Sequence, residues 1–115
     1  KQGQSLHGNF TNMVMRWVIY EGILQNNVMI GPEVMIFTAN HNYSTSDYMN
    51  ESGYNYLPVI IEDNVWIGAR VIILPGVKIE TGAIVAAGSI VPKGILAANC
   101  IYAGNPAKLI KNKYE

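Results

Sequence analysis

Long apolar runs and an excess of either charge are missing from this chain of 115 residues. The longest apolar stretches, 71–77 and 82–88, fall far short of the roughly 20 residues that a membrane-spanning helix needs, and no basic start precedes an apolar run as in a signal peptide. Eight Lys and Arg balance eight Asp and Glu, which disfavours a nucleic-acid partner. We therefore expect one soluble, cytoplasmic domain over 1–115 with no membrane span.

Cysteine and histidine are also scarce. The single cysteine, Cys100, excludes an internal disulfide, and its neighbours lack the cationic groups that activate a thiol. Two histidines, His7 and His41, are too few for a metal site built from several imidazoles, so we predict no metal. The chain begins at Lys1 and not at methionine, which leaves open that residues precede it.

The chain does contain a repeat of six residues. Aliphatic side chains recur at this spacing, whereas on a helix six residues turn through about 600° and would scatter them over several faces. A helix is thereby rejected. The residues on this spacing are Leu24, Ile30, Ile36, Ile61, Ile67, Ile73, Ile79, Val85, Val91 and the smaller Ala97 and Ala103. A second set of small or aliphatic residues follows four places after them: Val28, Val34, Val65, Val71, Val77, Ala83 and Ser89.

Turn-forming residues such as Asp63-Asn64 and Pro75-Gly76 interrupt the repeat every few positions, so each strand must be very short. A short strand and a corner every six residues close a triangular coil every eighteen, with parallel pairing between coils and the first aliphatic set pointing inward. The pattern predicts an all-β, parallel β-helix. Its coils are 24–41, 61–78 and 79–96, with 1–23 a degenerate first coil.

Residues 42–58 interrupt the coils with polar sequence that contains Tyr43, Tyr48, Tyr54 and Tyr56. The aliphatic positions before and after this segment are not separated by a multiple of six residues. We therefore interpret the segment as a loop inserted at a corner. A loop of this length inside a regular rod is usually functional, although a disordered bulge is the alternative.

Four sequence blocks in 59–111 occur in order: V-W-I-G, L-P-G-V, A-G-S-I-V-P-K and A-G-N-P-A-K-L-I-K. Together they resemble the hexapeptide-repeat acyltransferases, in the branch of the galactoside, maltose, nodulation-factor and xenobiotic acetyltransferases, over residues 24–111. The resemblance implies a left-handed parallel β-helix with an excursion loop and a short C-terminal tail. The periodicity predicts the coil, and only the resemblance implies its hand.

The family transfers an acetyl group from acetyl-coenzyme A to a hydroxyl or amine, with one histidine as general base. His41, in T-A-N-H-N-Y, occupies that position. The chemistry agrees, because a sugar hydroxyl is too weakly acidic to attack a thioester unaided and an imidazole can take its proton near neutral pH. The alternative is a histidine of a surface loop.

The resemblance also implies where acetyl-coenzyme A binds. It puts Trp66 against the pantetheine arm, Ala69 near the thioester oxygen, where sugar acetyltransferases often have serine, and the backbone of Ala87 beside the pantetheine amides. The alternative for Trp66 is a corner aromatic that packs on a neighbour. Three lysines lie at the end where the family binds the adenosine phosphates: Lys93, Lys108 and Lys111. Each alone is interpreted as a solvated charge, and only their convergence on one end of the coil favours the site.

For the acceptor, the segment 8–12 resembles an Asn-aromatic segment that lines the acceptor pocket in the sugar branch, which makes Asn9 a candidate. Asn42, Asp47 and Tyr48 of the loop are further candidates. The leading interpretation is an O-acetyltransferase that acts on a carbohydrate, such as a sugar of a polysaccharide, by direct transfer. The alternatives are a xenobiotic (antibiotic) O-acetyltransferase and a non-catalytic β-helix scaffold.

Apolar residues are too numerous for the narrow interior of such a rod, so some must lie outside and need partners. Together with the resemblance, this predicts a homotrimer whose neighbouring chains share active sites.

Overall fold

The computed structural model describes residues 22–44, 48 and 53–115, and these ranges contain strands without any helix. Most strands have only two or three residues. The first coil is β1 (Gly22–Leu24), β2 (Met29–Ile30) and β3 (Met35–Ile36); the second is β6 (Val59–Ile61), β7 (Trp66–Ile67) and β8 (Ile72–Ile73); the third is β9 (Val77–Ile79), β10 (Ile84–Val85) and β11 (Ile90–Val91). The remaining strands are β4 (Ala39–His41), β5 (Tyr54–Tyr56), β12 (Gly94–Leu96), β13 (Cys100–Gly104) and β14 (Ala107–Asn112).

The strands form the three faces of a prism. The first face has the order β1-β6-β9-β12, the second β2-β7-β10-β13-β14 and the third β3-β8-β11, and all pairs on them are parallel except β13 with β14. Ile67 pairs with Val85, eighteen residues further on. The predicted coil of eighteen residues is confirmed. Among the described residues, no helix is long and apolar enough to cross a membrane.

The core runs along the axis of the prism. Except for Ala97 and Ala103, both sets of residues from the six-residue repeat lie in or against this core, and most of them are completely buried, which confirms the prediction from the spacing up to Val91. β-Branched side chains suit this position because they stack on like neighbours along a pleated wall. Ile30 is only half-buried and packs against the edge of the core.

The prediction that Ala97 and Ala103 continue the inward set is wrong. β12 pairs with β9 at seventeen residues and not eighteen, so Leu96 takes the inward place and is 6% exposed. Ala97 is exposed and donates its amide to the hydroxyl of Tyr102, which packs on the core. Larger side chains close the end of the core where alanine would leave a void.

The corner between the first and second faces is reinforced by carboxylates. Oδ1 of Asp63 accepts the amide of Asn26 at 2.9 Å, and Oε1 of Glu62 accepts the amide of Thr81 at 3.1 Å. Each bond joins one coil to the next, so turn amides that would otherwise have no partner are satisfied.

The excursion leaves the prism after β3 and begins and ends as a β-hairpin. β4 and β5 pair antiparallel, with Ala39 opposite Tyr56 and His41 opposite Tyr54. The segment 42–58, predicted as a loop, therefore includes a strand at 54–56. The inserted residues separate Leu24 from its partner Ile61 by 37 positions.

The predicted C-terminal tail is an ordered strand. β14 folds back on β13 in antiparallel fashion and forms the edge of the second face. Most of the predicted first coil, 1–23, lies outside the described residues, as do Asn9 and Asp47.

Candidate active site

A groove of about 540 Å³ opens at the corner between the second and third faces. Its wall is almost entirely apolar and backbone-rich. The lining residues are Gly31, Pro32, Trp66, Gly68, Ala69, Ile84, Val85, Ala86 and Ala87. The structure thus brings together three residues that the sequence analysis assigned to the coenzyme: Trp66, Ala69 and Ala87.

Two glycines let successive coils stack closely below this groove. A Cβ on Gly31 would lie 2.6 Å from the amide nitrogen of Ala69, and one on Gly68 would lie 2.6 Å from that of Ala87. No real Cβ approaches backbone so closely, so both positions require glycine. Neither glycine is among the residues predicted to form the site. The signal was present, since the same place in two successive coils is glycine.

The groove also contains unused hydrogen-bond donors. The carbonyl of Ala69 accepts the amide of Gly88 at 2.9 Å, which joins the two coils. Within the described ranges, the amides of Ala69 and Ala87 have no acceptor. A ligand with carbonyl groups would find two N–H donors there, eighteen residues and one coil apart.

Trp66 forms the apolar side of the groove. It is the first residue of β7, points out of the prism and is 52% exposed. Its neighbours across the face are Met29 on β2 and Ile84 on β10, so the ring stands in an outward row of large apolar side chains. A half-exposed indole in this row fits both the predicted contact with the coenzyme and the alternative of a corner aromatic that packs on a neighbour.

His41 lies elsewhere on the chain. It ends β4 on the excursion hairpin, is exposed, and stacks on Tyr54 with ring centroids 4.7 Å apart and an angle of 29° between the planes. The hairpin leaves the corner between the third and first faces, and His41 is not among the residues that line the groove. A single chain does not bring the predicted base and the predicted coenzyme residues together.

The described acceptor candidates lie near His41 in sequence. Asn42 donates its amide to the carbonyl of Gly53 at 2.9 Å and accepts the Ser44 hydroxyl on its side-chain oxygen at 3.2 Å. Tyr48 is 67% exposed. Both therefore belong to the excursion that carries the histidine.

The three lysines lie towards the C-terminal end of the chain but on different elements. Lys93 lies in the turn between β11 and β12, and its Cγ would be 3.1 Å from a Cβ on Gly76. Lys108 and Lys111 are exposed on β14, at the edge of the second face. That they form one phosphate site stays a prediction.

Comparison with known proteins identifies the family. Residues 58–93 match the family model described as the hexapeptide repeat of succinyl-transferase. The galactoside O-acetyltransferase of Lactococcus lactis is 40% identical over 112 residues, which cover 96% of this chain and 51% of that protein. A maltose O-acetyltransferase structure from Clostridium difficile has a TM-score of 0.73 and 39% identity, covering 80% of this chain and 48% of that one.

A third similar protein was solved with a ligand bound. A hexapeptide-repeat acetyltransferase from Vibrio cholerae, solved in complex with acetyl-coenzyme A, has a TM-score of 0.76 and 30% identity, covering 88% of this chain and 54% of that one. The chain belongs to the hexapeptide-repeat acyltransferase family, and its fold is the left-handed parallel β-helix that the resemblance implied. It spans about half the length of the curated relatives it matches.

Proposed function

We propose that this chain is the β-helix of an O-acetyltransferase that moves an acetyl group from acetyl-coenzyme A to a hydroxyl of a carbohydrate acceptor. The observation that carries the proposal is the groove that joins an exposed indole, two small residues and two amides that have no acceptor among the described residues. The related proteins named above, which include a galactoside and a maltose O-acetyltransferase and a complex with acetyl-coenzyme A, support the same activity.

The groove suits the pantetheine arm of the coenzyme. Its floor of small residues at Ala69 and Ala87 admits an extended chain, the amide of Ala87 can donate to a carbonyl of the arm, and Trp66 covers its apolar carbons. In this proposal the Ala69 amide faces the thioester oxygen, where it stabilises the negative charge that forms during attack. Lys93, Lys108 and Lys111 neutralise the phosphates.

His41 acts as the general base. Its imidazole takes the proton of the acceptor hydroxyl as the oxygen forms a bond to the carbonyl carbon of the thioester. The carbon–sulfur bond then breaks, and the departing thiolate regains that proton as the thiol. Transfer is direct because the acceptor itself is the nucleophile. Ser44, three residues from His41, donates its hydroxyl to Asn42 and not to the imidazole.

The acceptor lies beside the excursion. Asn42 and Tyr48, together with Asp47 and Asn9, are proposed to bind the hydroxyl groups of the sugar. Carboxamide, carboxylate and phenol groups are suited to ligands with many hydroxyls because they can donate or accept.

We place this chemistry between chains of a homotrimer. The groove and His41 are on different corners of one chain, so a complete site needs His41 of one chain against the groove of its neighbour. Outward rows of apolar side chains support such contacts. They are Met29, Trp66, Ile84 and Ile101 on the second face and Met35, Ile72 and Ile90 on the third.

Release of free thiol from acetyl-coenzyme A tests this function, with galactosides, maltose, amino sugars and antibiotics as acceptors. We expect a carbohydrate to be the preferred acceptor. His41→Ala should lower kcat by about 10²- to 10⁴-fold and leave the KM for acetyl-coenzyme A nearly unchanged, because the imidazole contacts the reacting end only. Turnover by His41→Ala at the wild-type rate would refute the assignment of His41 as the general base. A preference for an antibiotic as acceptor would favour the alternative of a xenobiotic acetyltransferase.

A further inference from the structure

His41 and Tyr54 face each other across the excursion hairpin. They are partners in the register of β4 and β5. The next pair along is hydrogen-bonded, since the amide of Asn42 donates to the carbonyl of Gly53. Because hydrogen-bonded and non-hydrogen-bonded pairs alternate in an antiparallel ladder, His41 and Tyr54 form a non-hydrogen-bonded pair. Their Cα atoms are then only about 4.5 Å apart, which is the arrangement that brings side chains closest.

The two rings use this closeness to stack. Their centroids are 4.7 Å apart and their planes differ by 29°. The phenol ring of Tyr56, two residues further along the same face, lies 6.0 Å from that of Tyr54, with an angle of 36° between the planes. Opposite Tyr56 stands the small Ala39, which leaves room for the rings. Imidazole and phenol rings therefore follow one another along a single face of the hairpin.

Such support matters because little else restrains His41. The side chain is exposed, and among the described strands β4 and β5 pair only with each other. An exposed imidazole samples several rotamers, and each orientation away from the acceptor is unproductive for proton transfer. A ring stacked on one face of the imidazole removes many of these orientations.

We infer that Tyr54 is a positioning residue for His41: its ring holds the imidazole in the orientation that accepts the proton, without itself contacting the acceptor or acetyl-coenzyme A. The inference rests on the proposed function, in which His41 is the general base. The observed contacts of Tyr54 with His41 and Tyr56 are made by its ring, so the inference assigns this role to the ring and not to the hydroxyl.

Steady-state kinetics of Tyr54→Ala and Tyr54→Phe test the inference. Tyr54→Ala should lower kcat by about tenfold to a hundredfold, as misplacement of a catalytic group does, with both KM values within about twofold of wild type. Tyr54→Phe keeps the ring and should retain most of the wild-type kcat. Asn55→Ala is the matched control, because Asn55 lies in the same strand on the opposite face and should leave kcat unchanged.

A double variant separates this inference from the proposed function. If Tyr54 acts only through His41, adding Tyr54→Ala to His41→Ala should cause no further loss of kcat. A Tyr54→Ala enzyme with normal kcat would overturn the inference. So would one whose only change is a higher KM for the acceptor. So would a Tyr54→Phe enzyme as impaired as Tyr54→Ala. Full activity of His41→Ala alone would instead refute the proposed base, whatever Tyr54 does.

Discussion

The groove and the hairpin are built in opposite ways. The groove wall consists of coil corners whose backbones stack on the coils on either side, and the core behind it is completely buried. The hairpin pairs only with itself among the described strands, and its residues 54–56 are all exposed. In the proposed function, the repeat thus supplies a stiff surface for the long coenzyme, while an interruption of the repeat carries the histidine proposed as the general base.

This difference has a physical origin. A side chain on a regular coil points either into the core or straight out of a flat face. An imidazole that must reach over a ligand needs a support that projects from that face, and a loop or hairpin held by a rigid scaffold can provide it. Substitutions in the two regions should therefore differ in kind: those in the groove alter stability or coenzyme binding, and those in the hairpin alter turnover.

The largest effect on the stiff region is expected from Gly68→Ala. The new Cβ would lie 2.6 Å from the backbone nitrogen of Ala87, so the two coils must move apart. Overpacking of this kind should lower the free energy of unfolding by about 1–3 kcal/mol, measured by urea denaturation. Ala86→Gly, at the same place one coil later, is the control. It should lower the free energy of unfolding by no more than about 1 kcal/mol. A Gly68→Ala protein as stable as wild type would contradict the close stacking.

A smaller effect, on binding and not on stability, is expected from Trp66→Ala. Half of the indole is already exposed, so the fold should tolerate its loss. The indole is proposed to cover apolar carbons of the pantetheine arm, so its removal should raise the KM for acetyl-coenzyme A about tenfold. Ile95→Ala, an exposed apolar side chain on β12 of the first face (65% exposed), serves as the control and should leave this KM unchanged. If the KM of the acceptor rises and that of the coenzyme does not, Trp66 belongs to the acceptor pocket.

The smallest effect is expected from Lys93→Ala. A solvent-exposed charge pair contributes up to about 1 kcal/mol, so the KM for acetyl-coenzyme A should rise by no more than about fivefold. If Lys93 binds the 3′-phosphate, the KM for the 3′-dephospho analogue should not change. Lys78→Ala, whose amino group pairs with Glu62 at 3.7 Å on the first face, is the control. An equal rise in KM for acetyl-coenzyme A and for its 3′-dephospho analogue would show that Lys93 does not bind the 3′-phosphate.

Much of the stiff region was predictable because each coil repeats the physical demands of the previous one. Ile67, Ile73 and Ile79 identify the inward positions by spacing alone, and the structure buries all three. The prediction failed at Ala97 because the pairing of β12 with β9 slips by one residue near the end of the repeat, and Leu96 fills the core instead. Spacing carries no information on such a slip.

The hairpin was much less predictable. Its length and tyrosine content indicated an inserted loop, but no repeated neighbour constrained its register. The pairing of His41 with Tyr54 depends on where the chain turns back, and this is absent from the six-residue pattern. The separation of His41 from Trp66 within one chain likewise follows from the way that the hairpin leaves the prism.

The proposed active site combines the hairpin of one chain with the groove of another. It is tested most directly by mixing two inactive variants, His41→Ala and Ala87→Trp. Ala87 is exposed in the groove, so a tryptophan there should block the coenzyme without disturbing the core. In randomly mixed trimers about one quarter of the shared sites would combine an intact His41 with an intact groove, so about a quarter of wild-type activity should return. A mixture no more active than its two components would contradict the account.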